Sequence, residues 1–246
     1  MVFTVSSLGE KAIIIRFEQK ISEDVHRHVF YIQHCIEQEK LVGVIELVPA
    51  YCSIVIHYDP YLVWQHNKQK GIEVMPSTYM LTTIESLVHA AKHREAEQFD
   101  AQSTRIVEIP VCYGGQYGAD LQDVAQHNNL STDEVIAIHS GHLYFVHMLG
   151  FAPGFPYLGG MDKRIAMPRK AIPRPAITAG SIGIAGEQTG IYPISTPGGW
   201  RIIGRTPLQL FKPEHDMPTL IQAGDYIKFI PIREEQFIDI SRLQWT

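Results

Sequence analysis

Between positions 139 and 207 the chain crowds glycine, proline, aromatic and arginine residues into five short signatures. These are Gly150-Phe151-Ala152-Pro153-Gly154-Phe155-Pro156-Tyr157-Leu158, Pro173-Arg174, Ala179-Gly180-Ser181, Thr196-Pro197-Gly198-Gly199-Trp200 and Gly204-Arg205-Thr206-Pro207. Proline fixes φ and glycine opens conformations closed to other residues, so this stretch must turn often and in set places. Ordering such a backbone is costly unless a rigid scaffold holds it. Polar and cationic groups on loops over a scaffold are the usual makings of a binding site, so the functional residues are expected in this segment.

The 246 residues suffice for one large domain or two modest ones, and a polar stretch over residues 95–103 favours two. Hydrophobic residues make up 45% and charged residues 19%, the balance of a globular protein and not of a disordered one. A formal charge of -5 with both signs interspersed offers no polybasic tract, so neither nucleic acid nor an anionic membrane surface is an expected partner. No signal-peptide pattern opens the chain and no apolar run reaches the roughly 20 residues of a membrane span, which points to the cytoplasm. Cys35, Cys52 and Cys112 are scattered without CxxC spacing, so free thiols are expected in place of disulfides or a thiolate zinc site.

Periodicity predicts an N-terminal α+β domain over residues 1–98. Residues 3–5 and 12–17 read as strands, and Ser22 caps a helix whose Val25, Val29, Ile32 and Ile36 share one face. Residues 42–48 and 53–58 are β-rich runs, the second ended by Tyr58-Asp59-Pro60, and Ser77-Thr78 opens a further helix. The second domain, residues 104–246, opens on a strand at 105–111. A helix follows at 120–126, then one with a capping box at Ser131 that ends near His139-Ser140-Gly141. A strand covers 143–148. From 177 to 229 short apolar runs alternate with Gly and Pro turns at the spacing of an all-β sandwich or barrel, with Ala223-Gly224-Asp225 turning into a last strand.

Within this frame His139, at a predicted helix end, is placed to act as acid, base or hydrogen-bond donor near neutral pH, or else to cap helix carbonyls. Tyr144 and Tyr192 are the accompanying candidates for proton transfer. His139 and His142 have a spacing that metal ligands use, but Gly141 breaks the helix and no carboxylate stands nearby in sequence, so no metal is assigned. Phe151, Phe155 and Tyr157 could line an apolar pocket or plug a barrel end. Arg169, Arg174, Arg201 and Arg205 all sit beside proline or glycine signatures, which suits presentation of a rigid guanidinium fork to a carboxylate or phosphate; Arg174 and Arg205 are the first choices. Gln188, Thr189 and Ser195 supply amide and hydroxyl groups able to orient a small polar ligand, or to satisfy turn backbone. Trp200 reads as a barrel core anchor or a partner-interface hot spot, with the core the first choice. A GxxxxGK[ST] loop, a dinucleotide fingerprint and a GxSxG elbow are all missing, so the chain binds no nucleotide by these means and is no standard serine hydrolase.

The run Tyr144-Phe145-Val146-His147-Met148-Leu149-Gly150-Phe151-Ala152-Pro153-Gly154-Phe155 carries a family resemblance. So do Pro168-Arg169, Gly180-Ser181, Gln188-Thr189-Gly190-Ile191-Tyr192-Pro193 and Pro197-Gly198-Gly199-Trp200. Together they resemble the KipI family, also called allophanate hydrolase subunit 1, which includes the B component of bacterial ATP-dependent 5-oxoprolinase. Weaker likeness runs through Leu8-Gly9-Glu10, Val48-Pro49-Ala50-Tyr51 and Tyr58-Asp59-Pro60, with Glu10 and Thr196 standing where Asp and Ser are commoner. The resemblance implies a small α+β domain followed by a cyclophilin-like β-barrel. It further implies a non-autonomous enzyme subunit that works with A and C subunits, the complex and not this chain using ATP. Two other roles exist among such families: inhibition of a sensor histidine kinase, and half of a biotin-dependent carboxyltransferase of the urea amidolyase type.

Overall fold

Alternate positions in Ala12–Phe17 and Ser53–Tyr58 set Ile13, Ile15 and Phe17, with Ile54, Ile56 and Tyr58, on one face of a sheet, which is therefore the face that must be covered. A computed structural model of the chain describes residues 2–18, 22–92 and 105–243, and its contacts divide the chain into units Met1–Ser103 and Thr104–Thr246. The linker expected at 95–103 lies outside the described residues.

In the first unit β1 (Phe3–Ser7), β2 (Ala12–Phe17), β3 (Val44–Pro49) and β4 (Ser53–Tyr58) form an antiparallel sheet of order β1-β2-β4-β3. Helices α1 (Glu23–Gln38) and α3 (Pro76–Lys92) supply the cover, burying Val29, Ile32 and Ile36 and Met80, Ile84 and Val88 against the isoleucine face. The Ser22 hydroxyl caps α1 by accepting from the Val25 N–H at 3.3 Å. Between β4 and α3 the structure adds α2 (Pro60–Gln69), which the sequence pattern does not predict. Asp59 caps it, accepting from Tyr61 N–H at 2.8 Å, and Pro60 is its first residue.

In the second unit seven strands form one sheet of order β10-β9-β12-β5-β13-β6-β7. They are β5 (Ile106–Tyr113), β6 (Leu143–Leu149), β7 (Pro156–Gly159), β9 (Ser181–Ala185), β10 (Gln188–Ile191), β12 (Arg201–Arg205) and β13 (Tyr226–Pro231). Edge strands β10 and β7 lie alongside each other, so the sheet nearly closes into a barrel, and the chain has the expected α+β class. Pairing among the described strands is antiparallel except between β5 and β13, whose parallel register joins the start of the unit to its end. Ile109, Val111, Ile182, Ile184, Ile203, Ile227 and Phe229 fill the interior. Short β8 (Arg174–Ile177) and β11 (Thr196–Gly198) form a separate ribbon.

Helices α4 (Leu121–His127) and α5 (Thr132–Ser140) pack on β12 and β13, and α6 (Glu234–Leu243), also absent from the sequence-based expectation, lies against β5. The Ser131 capping box is formed in both directions, the hydroxyl accepting from Glu134 N–H at 3.2 Å and the Glu134 carboxylate accepting from Ser131 N–H at 2.7 Å. Ser131→Ala is expected to lower the stability of this unit by about 1 kcal/mol, read from the urea midpoint at unchanged slope.

Candidate functional site

His139 lies in the last turn of α5, which packs on β13, and the imidazole is fully buried. Its ring stacks on Phe229 at 4.5 Å between centroids. Thr189 Oγ1 donates to the Gly183 carbonyl at 3.1 Å, so it receives the hydrogen of His139 Nε2, 2.9 Å away. Nδ1 is then the acceptor for the Tyr113 hydroxyl at 2.8 Å, and the Tyr144 hydroxyl donates to the His139 carbonyl at 2.7 Å. Burial, with the neighbouring His142 charge, pulls the imidazole down to about 3, and burial pushes both Tyr113 and Tyr144 upward. The chain Tyr113 to His139 to Thr189 to Gly183 is thus a neutral, closed string of hydrogen bonds tying α5, β5, β9 and β10 together. In this conformation the side chains of His139, Tyr144 and Thr189 are buried and their polar atoms are paired within the protein. His142 faces outward and stands 3.8 Å from Asp162. Among the described residues no three His, Cys, Asp or Glu side chains gather as metal ligands.

A second buried polar group holds the Pro/Gly-rich segment to the barrel. Asp120, the N-cap residue of α4, is almost wholly buried and accepts from both ends of the Arg174 guanidinium at 2.7 Å, from Lys170 Nζ at 3.2 Å and from the Ile202 N–H at 2.7 Å. Burial raises its carboxyl, but the Arg174 fork, the Ile202 amide and Lys170 outweigh that and leave it below the usual carboxylate value. The Arg174 fork expected to meet a ligand is therefore occupied within the protein. Arg205 is likewise engaged, its Nε donating to the Ala179 carbonyl at 3.0 Å and its guanidinium lying 5.9 Å over the Phe237 ring. Arg201 donates to the Pro168 carbonyl at 3.3 Å and pairs with Asp123 at 3.3 Å.

Next to this clamp lies an aromatic cluster separate from the main core. Phe155 sits at its centre, edge to face with Tyr157, Tyr192 and Trp200 at 5.1, 5.4 and 5.5 Å. Phe151 completes it from outside, 5.5 Å from Phe155 and 66% exposed, on a backbone of φ +68° that residues other than glycine seldom adopt. Gly198 runs so close to Tyr192 that an added Cβ would lie 2.4 Å from the phenol oxygen. Burial pushes Tyr192 up to about 12 despite a hydrogen bond from the Trp200 backbone and the nearby positive charge of Arg169 and Arg174, so it is a neutral donor at physiological pH. Arg169 caps the cluster, its guanidinium exposed and 5.9 Å over the Trp200 ring.

The structure thus brings together Phe151, Phe155, Tyr157, Tyr192 and Trp200 with Arg169, and sets His139, Tyr144 and Thr189 apart in the barrel interior. Gln188 is half-buried at the start of β10, and Ser195 is exposed just before β11. Asp120 and Lys170 were not singled out by sequence. Lys170 follows the Pro168-Arg169 motif directly, which is the local signal that could have drawn notice. An aromatic floor under a guanidinium suits a small planar ligand carrying a carboxylate, because the rings contribute contact area and the fork contributes charge-assisted hydrogen bonds.

The family Carboxyltransferase domain, subdomain C and D, matches residues 3–221, and the chain belongs to it. It is 50% identical over 235 residues to the B component of 5-oxoprolinase from Bacillus subtilis (strain 168), covering 96% of this chain and 95% of that one. With the B component of 5-oxoprolinase from Escherichia coli O157:H7 it shares 37% identity over 227 residues, covering 92% and 95%. These relatives bear out the resemblance read from the glycine and proline motifs. The crystal structure of TTHA0988 aligns with a TM-score of 0.71 and 31% identity over 91% of this chain, which corresponds to 40% of that one. No helix among the described residues is long and apolar enough to cross a membrane.

Proposed function

We propose that this chain is the B component of a cytoplasmic ATP-dependent 5-oxoprolinase, opening 5-oxo-L-proline to L-glutamate together with A and C subunits. The observation that carries this reading is identity of 50% to a protein of that name over nearly the whole of both chains. The chemistry fits a divided enzyme. A lactam amide is a poor electrophile, so transfer of the ATP γ-phosphoryl group to the lactam oxygen, with ADP departing, creates a leaving group. Water then adds to that carbon and the ring C–N bond breaks to give the free amine and an acyl phosphate, which a second water hydrolyses to the carboxylate of glutamate and inorganic phosphate. This chain lacks a nucleotide-binding loop in its sequence, so the ATP step falls to the A subunit, and the chain's part is to hold the substrate or its activated form with the C subunit.

The test is 5-oxoproline-dependent formation of glutamate and ADP by purified A and C subunits with and without this chain. Turnover only in its presence is expected. Equal turnover without it, with A and C folded, overturns the reading and makes autophosphorylation of a sensor histidine kinase the next assay.

A further inference from the structure

We infer that Arg169, poised above the ring of Trp200, is the residue that receives the carboxylate of a small ring- or amide-bearing ligand whose apolar part lies against Phe151 and Tyr157 at the rim of the aromatic cluster. The inference rests on the proposed function only for the identity of that ligand, 5-oxo-L-proline. Of the arginines in the Pro/Gly-rich segment, Arg174 is spent on Asp120, Arg201 on Asp123 and Pro168, and Arg205 on Ala179. Arg169 has no carboxylate in salt-bridge range among the described residues, and its guanidinium is held by a ring face, which leaves the edge of the fork with all its N–H groups for an acceptor.

The backbone on each side of Arg169 is pinned. Arg201 Nε donates to the Pro168 carbonyl, Lys170 N–H donates to the Gly199 carbonyl at 2.7 Å, and Lys170 Nζ reaches Asp120 at 3.2 Å. Gly199 immediately precedes Trp200, so the same hydrogen bond registers the arginine against the ring it covers. A cation fixed in place before a ligand arrives loses little freedom on binding, which is the usual design of a recognition site and not of a solvated surface charge. The positive φ of Phe151, costly in itself, keeps that ring outside the core and beside the same cluster.

The test is calorimetric titration of the full-length chain with 5-oxo-L-proline and with 2-pyrrolidinone, the same lactam ring without the carboxylate. The wild-type chain is expected to bind 5-oxoproline at least about tenfold more tightly than pyrrolidinone. Arg169→Gln is expected to remove that difference while leaving pyrrolidinone binding unchanged, which loss of fold would not do. Arg169→Lys, which keeps the charge but not the fork, should retain part of it, and Arg233→Gln, on the exposed surface before α6, all of it. In the complex with A and C subunits the same Arg169→Gln change should raise KM for 5-oxoproline about tenfold with kcat nearly constant. Unchanged affinity and KM in Arg169→Gln, or no uptake of 5-oxoproline by the wild-type chain either alone or with its partners, overturns the inference. If A and C turn over equally without this chain while Arg169 still governs 5-oxoproline binding, the proposed function fails and the inference stands.

Discussion

Asp120→Asn is expected to destabilise the unit formed by residues 104–246 by about 3 kcal/mol at pH 7, because it removes the anion from a buried cluster and keeps its two cations. The replacement is nearly isosteric, so the loss is electrostatic and not a cavity. Arg174 and Lys170 keep their charges with no counter-ion, while the amide oxygen still accepts from Ile202 N–H. Arg174 retains 28% of its side-chain exposure, so water compensates it in part, which places the expected cost at the lower end for a broken buried pair. Amide hydrogen exchange in β9 and β12 reads the effect on this unit alone. The pH dependence identifies its origin. Asp120 is held below its ordinary value of 3.8 in the folded protein, so its contribution is complete above the unfolded carboxylate range and is lost as pH falls through and below it. The difference between wild type and variant should therefore stay constant from pH 7 to about 5 and shrink below about 4. A difference that persists undiminished at pH 3 would show that packing, and not charge, carries it. The cluster also fixes Lys170 beside Arg169, so on the inference made for Arg169 the variant should weaken 5-oxoproline binding even where it remains folded.

The layers of the first unit were legible because β2, β4, α1 and α3 each carry a complete apolar face of their own, such as Ile13 with Ile15 or Val29 with Ile32 and Ile36. α2 was not, because Asp59-Pro60 reads equally as the end of a strand and as a cap with proline at the first helical position, and only Val63 and Asn67 of that helix are buried. α6 hides for a similar reason: of its side chains only Phe237 is buried, against Tyr117 and Arg205, so the pattern lacks a full stripe. The two halves of the seven-stranded sheet are joined by parallel pairing of β5 with β13, residues 106–111 with 226–231, a partnership that no local spacing encodes. The same limit applies at the site. Local composition marks Arg169, Arg174, Arg201 and Arg205 and puts Arg174 and Arg205 first, whereas what separates them in the fold is a carboxylate 54 residues from Arg174 and a ring 31 residues from Arg169. His139 was marked by its type and by its place at a helix end. Its neutral role follows from three partners at positions 113, 189 and 229 that meet only in the folded barrel.

Exchange of that histidine should change the acid response of the same unit in a different pH window. His139 has an ordinary value of 6.5 and is brought to about 3 by burial and by His142, so the unfolded chain binds the proton over a range in which the folded protein refuses it. Stability is therefore complete above about pH 6.5 and falls by up to about 1.4 kcal/mol per pH unit below it, a loss of about 2.5 kcal/mol by pH 4.5. The groups facing the imidazole, Tyr113, Tyr144 and Thr189, do not themselves titrate in that range, and the nearby His142 is common to both proteins. His139→Gln removes the titrating group. It is expected to cost about 2–3 kcal/mol at pH 7, since the stack on Phe229 is lost and one of two buried hydroxyl partners is left short. Between pH 6.5 and 4.5 the variant should then lose less stability than wild type, by close to one proton's worth of slope, so that the two curves converge on acidification. Urea titrations at four pH values in that interval, read by hydrogen exchange in β10 and β13, decide it. Parallel curves would mean that the imidazole is protonated in the folded protein, and hence that His139 is within reach of water and available for proton transfer after all. Convergence confines the histidine to its tie between α5 and the barrel.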